Sequence, residues 1–205
     1  RDPGSGLHLR MPCGVQIEIV QLSIQRETDL NITDHADVQI GLLPILPEDR
    51  LRVLVRDALL ERGWEEQSDG ALVKELGEAI ATLPPGESTI RVTLAAETSV
   101  SITSRSTERV VVGSEASLEA AEQRAEEAAD QRLAQVANVA REKLEDETAA
   151  RLLRAWQAVK TEADEVVRVT TRRALEERGS QLGSVVSIED NEGDDGYELT
   201  VTVMT

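Results

Sequence analysis

The chain has 205 residues, a net charge of −17, and 40% hydrophobic but only 1% aromatic residues. The apolar fraction is enough for one core, and that core must be aliphatic, because the aromatics are Trp64, Trp156 and Tyr197 with no Phe. A phosphate backbone repels so acidic a surface, and so few aromatic platforms are a poor supply for base stacking, so the composition argues against nucleic-acid binding.

The most basic cluster, Arg168, Arg172 and Arg173, is flanked by Asp164, Glu165, Glu176 and Glu177. Cys13 is the single cysteine, which excludes an internal disulfide. No apolar run reaches the roughly 18 residues that a membrane helix needs, and a cytoplasmic location is expected. Residues 1–13, beginning RDPGSG, read as a disordered leader or cloning remnant.

From Gly14 to Gln25 the apolar residues alternate. Val15, Ile17 and Ile19 share one face, and Val20, Leu22 and Ile24 share the other. A strand with a bulge or bend near Ile19 fits this switch. Leu30, Ile32, Val38, Ile40 and Leu42 suggest two further short strands.

Pro47 suits a first helical position, with Glu48 and Asp49 in the dipole-favoured first turn. Leu51, Leu54, Val55, Ala58 and Leu59 form one apolar stripe, and Gly63 follows as a stop. The spacing predicts an amphipathic helix over 47–62 laid on a sheet. Ser68-Asp69-Gly70 and Pro84-Pro85-Gly86 are turn signals bounding short strands at 71–76 and 78–83.

Ile90, Val92, Leu94, Ala96, Val100, Ile102, Val110 and Val112 all fall on even positions, with mostly polar residues between them. One unbroken phase predicts a long strand, or two that keep phase, with one buried and one wet face.

Residues 114–178 contain neither Gly nor Pro and are rich in Ala, Glu, Arg and Leu, a helical composition. Ser114 is a candidate N-cap. Leu133, Val136, Ala140 and Leu144 make one stripe. Leu152, Trp156, Val159, Ala163, Val166, Thr170 and Ala174 make a second, and the pattern is heptad-like. The chain ends in a β-hairpin: Val186 and Ile188 on one arm, Tyr197, Leu199, Val201 and Val203 on the other.

Unbroken, this segment would run about 98 Å at 1.5 Å per residue. An isolated hairpin is marginal in water, so the final hairpin is expected to join a sheet. Either the helix folds back near its middle, where Asp146 or Thr148 could cap a second helix, or one long helix delivers the hairpin to another subunit. The fold-back is the favoured solution, since it satisfies both ends within one chain.

The expected class is therefore α+β: an antiparallel sheet, one packed amphipathic helix, and a long helical hairpin (or single long helix) inserted before a C-terminal β-hairpin. Residues 14–113 with 183–205 would form the sheet domain, and 114–178 a coiled-coil projection.

Site signatures are scarce. No nucleophile elbow, Walker loop, dinucleotide fingerprint or HExxH is present, and the only histidines are His8 and His35. The alternating series Asp29, Asn31, Thr33, His35, Asp37 and the acidic turn Asp190, Glu192, Asp194, Asp195 are weak candidates for Ca²⁺, and neither fits an EF-hand. Solvated turns are the plainer reading.

A non-enzymatic interaction protein is expected: an adaptor or scaffold subunit of a cytoplasmic assembly, without cofactor or evident small-molecule substrate. Its partners would be proteins, itself included, and neither nucleic acid nor membrane. Leu133, Val136, Leu144, Leu152, Trp156, Val159 and Val166 are the candidate docking residues. The alternatives are an acidic metal-dependent enzyme and a polyanion mimic. Residues 179–205 hold six acidic and no basic side chains, and the turn at 189–196 within them is the densest acidic spot.

Overall fold

The structure, a computed structural model, describes residues 9–10, 16–193 and 196–204. It is a mixed α+β fold. The strands are β1 (Leu9–Arg10), β2 (Gln16–Gln39), β3 (Glu65–Glu66), β4 (Leu72–Leu76), β5 (Ala79–Leu83), β6 (Thr89–Val111), β7 (Ser184–Gly193) and β8 (Gly196–Met204). The helices are α1 (Glu48–Leu60) and α2 (Glu115–Leu182). The main sheet has the order β1-β2-β6-β5-β4-β3, and β7 pairs only with β8.

The chain divides into two compact units. The first comprises residues 1–32 and 96–147, and the second 33–95 and 148–205. β2, β6 and α2 each contribute a stretch to both.

In the first unit, β2 and β6 form a ribbon. Neither strand contains Gly or Pro, so nothing punctuates them. Side chains alternate between half-buried even positions and exposed odd ones from Val20 to Thr33, and again along β6. The bend expected near Ile19 shows only as half-burial on both faces from Ile17 to Val20. What read as three short strands is one. Its polar middle hid it, because the inward residue there is Arg26, whose guanidinium donates to Asp130 on α2 at 3.0 Å and lies 3.7 Å from Glu126.

Ser114 caps α2 as expected: its hydroxyl accepts from the Ser117 N–H at 3.3 Å, while the Ser117 hydroxyl accepts from the Val111 N–H at 3.0 Å. Gly113, at φ +77, makes the left-handed step between strand and helix. Ala121, Ala125 and Ala129 are fully buried, one helical turn apart. Arg124 pairs with Glu108 at 3.2 Å, and Arg132 donates to the buried Ser104 hydroxyl at 3.2 Å. The small side chains face the ribbon, and the long ones reach over its rim.

The second unit holds the main core. α1 begins after Pro47 and buries Leu51, Leu54, Val55, Ala58 and Leu59, the stripe read from sequence. β4 and β5 form a tight hairpin through Gly77 at φ +69, with Leu76 opposite Ala79. β5 continues onto β6 with Ala79 opposite Leu94 and Thr82 opposite Arg91. Ile90, Val92 and Leu94 of β6 are buried among Val38, Ile40, Leu59, Trp64, Ala81, Val159 and Val166. Burying each such Leu, Ile or Val contributes about 1.5–3 kcal/mol.

α2 is a single 68-residue helix and does not fold back. Thr148, a candidate cap for a second helix, is instead 2% exposed on the helix's inner face. Gly179 lies inside the helix, which ends at Leu182. The final hairpin forms, but as a two-stranded sheet of its own, from Ser184 opposite Met204 to Gly193 opposite Gly196. Gly183 alone separates α2 from β7.

Candidate interaction surfaces

The two stripes read along α2 are one continuous inner face. Ala121, Ala125 and Ala129 are buried, and so are Thr148, Leu152, Val159, Ala163, Val166, Thr170 and Ala174, each set at the helical spacings of three, four or seven. Leu133, Ala137, Ala140 and Leu144 are half-buried along the same line. Among the candidate docking residues, Leu152, Val159 and Val166 belong to the core of the second unit. Their apolar surface is already covered by the chain itself. Trp156 packs at the edge of that core, and its indole N–H donates to the Asp37 carbonyl at 3.0 Å. Leu133 and Leu144 are half-buried, and Val136 is 44% exposed.

The outer face of α2 is mostly charged, with Leu118, Leu153 and Leu182 exposed singly and one uncharged stretch. Residues 133–140, LAQVANVA, carry no charge, and Val136 and Val139 are exposed there at 44% and 67%. Sequence reading placed Val136 on the inner stripe and passed over Val139. The signal that separates them is phase: the true inner line runs through Leu133, Ala137 and Ala140.

Charged groups tie the C-terminal part of α2 to the second unit. Glu162 accepts from the Trp64 indole N–H at 3.0 Å and from the Lys74 ammonium at 2.8 and 2.9 Å. Lys74 also donates to the Arg62 carbonyl at 3.0 Å. Arg50 pairs with Glu177 at 2.9 Å, Arg173 with Glu61 at 2.8 Å and Arg62 with Glu165 at 3.5 Å. The hydrogen bond from Arg173 holds the Glu61 carboxyl below its ordinary value, and Arg168 does the same for Glu165. These pairs link α1 antiparallel to α2 and act structurally.

A groove of about 550 Å³ opens in the second unit. One wall is α1, with Glu48, Leu51, Arg52, Val55 and Arg56. The others are the 41–46 segment and the Pro84–Ser88 turn. Its cations are already engaged: Arg52 with Glu48 at 2.6 Å, and Arg56 with Glu66. Sequence reading saw the prolines that shape this groove only as turn signals.

The first acidic series does not gather into a cation site. Asp29, Asn31, Thr33, His35 and Asp37 lie on β2, where alternate residues are about 6.6 Å apart and cannot converge on one ion. Asp190 and Glu192 stand on β7, at the register positions of Leu199 and Tyr197. Asp194 and Asp195 lie outside the described residues. Among the described residues, no three His, Cys, Asp or Glu side chains cluster as a metal site. No described helix is long and apolar enough to cross a membrane.

A family model, the FtsH ternary system domain X5, matches residues 11–205, nearly the whole chain. The chain belongs to the FtsH ternary system domain X5 family. No curated protein and no solved structure matches it. As its family name says, the X5 domain is part of a ternary system, a multi-protein assembly, and so has protein partners.

Proposed function

We propose that this X5 domain is a non-enzymatic interaction component of its ternary system. It acts in the cytoplasm as an adaptor or scaffold and meets partner proteins through the outer face of α2 and its acidic surface. The supporting observation is the division of labour along α2. Its inner line is consumed by the chain's own strands, while the charge-free stretch at 133–140 leaves Val136 and Val139 in solvent. Exposed apolar residues on an otherwise charged helix are the feature partner helices read.

The test is co-purification of the full chain with the other components of its system, comparing the parent with V136D and V139D. Both substitutions are at exposed sites, so folding should be retained. Partner affinity should fall about tenfold or more, the scale of a lost apolar anchor at an interface. Unchanged affinity in both variants refutes the helix face. A second reading, polyanion mimicry, draws on the six acidic and no basic residues of 179–205. It calls for binding to a cationic protein that weakens steeply with salt.

A further inference from the structure

Among the described residues, one edge of the first unit's ribbon has little strand cover. In an antiparallel strand, the backbone N–H and C=O groups of alternate residues point to opposite edges. The Gln16 carbonyl accepts from the Val112 N–H at 2.9 Å, which turns the even residues of β2 toward β6. The same parity holds near the far end, where the Ile40 N–H donates to the Ser88 carbonyl at 2.7 Å. The odd residues therefore present their backbone groups to the opposite edge. Among the described residues, β1 pairs with that edge at Gln16 and Ile17. The Asp37 carbonyl on it is taken by the Trp156 indole. Between them, from Gln21 to Asn31, no described strand neighbours it.

Natural sheets blunt such edges with Pro, Lys, bulges or inward charge. Residues 21–31 contain no Pro, Gly or Lys, and their strict alternation in burial leaves no room for a bulge. The one inward charge, Arg26, is neutralised by Asp130. The wet face along this edge carries Gln21, Ser23, Gln25, Glu27, Asp29 and Asn31, all exposed. Glu27 and Asp29 have no ion-pair partner among the described residues. On β6 the exposed charges are mixed, Glu97 with Arg105 and Arg109.

From these observations we infer that the Gln21–Asn31 edge of β2 receives an extended strand of a partner protein that carries Lys or Arg at alternate positions. The added strand's backbone pairs with the odd residues, as β1 already does at Ile17, and its cations stand beside Glu27 and Asp29. This rests on the interaction reading above but uses a different surface from Val136 and Val139.

The test is residue-resolved hydrogen exchange on the full chain. In the free protein, the odd amides of 21–31 should exchange fast and the even ones slowly. The probe is a peptide of about ten residues alternating Lys with Val or Thr, long enough to span the edge. It should slow the odd amides, and added salt should weaken it. E27K combined with D29K should weaken binding about tenfold, two exposed ion pairs at up to about fivefold each. That variant should instead bind the matching Glu peptide. Q25P, which removes an outward N–H and leaves the β6 ladder intact, should abolish protection at its neighbours.

Odd amides already protected in the free chain would overturn the inference, as would no protection by the Lys peptide at low salt. Equal protection by the Glu peptide would also overturn it. Protection that grows with protein concentration alone would assign the edge to a second copy, and the inference would fall. A system partner that binds through Val136 and Val139 while these amides keep exchanging would leave the interaction reading standing and remove this one.

Discussion

Glu162→Ala is the most informative single perturbation of the fold. Trp64 is 3% exposed, and its indole N–H has Glu162 as acceptor. Leaving a buried donor without a partner costs about 1–3 kcal/mol. Lys74 would also lose its carboxylate, keeping only the Arg62 carbonyl. Its side chain is 24% exposed and that of Glu162 17%, so the pair is largely but not fully shielded. A fully buried pair broken on one side costs about 3–5 kcal/mol, and residual water contact reduces the Lys74 share to about 1–2. The expected loss is about 3 kcal/mol, or about 6–12 °C in Tm for a chain of this size.

Urea unfolding followed by circular dichroism gives the first figure and thermal melting the second. A double-mutant cycle with Lys74→Met isolates the pair, because K74M removes the stranded cation. The combined variant should be more stable than the sum of the single losses implies, by about 1–2 kcal/mol. Glu176→Ala serves as the control. Glu176 pairs with Arg172 at 3.1 Å with both side chains about half exposed, and should lose less than about 0.5 kcal/mol. A loss below about 0.5 kcal/mol for E162A, or strict additivity with K74M, would refute the argument.

The other predictions are brief. Thr170 is fully buried and its hydroxyl lacks a hydrogen-bond partner, so Thr170→Val should raise stability by about 1 kcal/mol in the same urea assay. A destabilised T170V would mean that the hydroxyl is satisfied. Glu61 titrates below its ordinary value of 4.5 because Arg173 donates to it. A lowered carboxyl pKa adds stability above pH 4.5 that is lost as pH falls through the folded value, so acid titration of Arg173→Met should lose less on going below pH 4.5. Carbon-detected NMR should show the Glu61 pKa rising in that variant, and an unmoved value would discount the pair. Gly63 sits at φ +80 with open space where a Cβ would stand, so Gly63→Ala should cost about 1 kcal/mol from backbone strain alone. A neutral result by thermal melting would show that the turn relaxes.

Where one local rule governs an element, the element was legible in the sequence. α1 follows from Pro47, two acidic residues and an i, i+3, i+4 stripe. β6 follows from one even phase, which holds even through Ser104 and Ser106. β2 was harder, because its inward line passes through Arg26 and Thr28, and hydrophobic alternation cannot report a face whose members are polar and paired. On α2, periodicity found most of the inner residues but assigned them to the wrong partner. A stripe of Leu, Val and Ala looks the same whether it meets a second helix, a foreign chain or a sheet. That ambiguity put Leu152, Val159 and Val166 among the docking residues when they are core.

The sequence by itself determined that a long glycine-free helix follows a long alternating strand, because propensity and period act over neighbouring residues. Tertiary structure decided that the helix does not turn back, and Thr148 lies buried along it rather than capping a second helix. It also decided which side chains are buried and which stay exposed. Burial is a property of what lies opposite, and a chain read in one dimension does not show what lies opposite: Asp130 for Arg26, Glu162 for Trp64, and solvent for Val139.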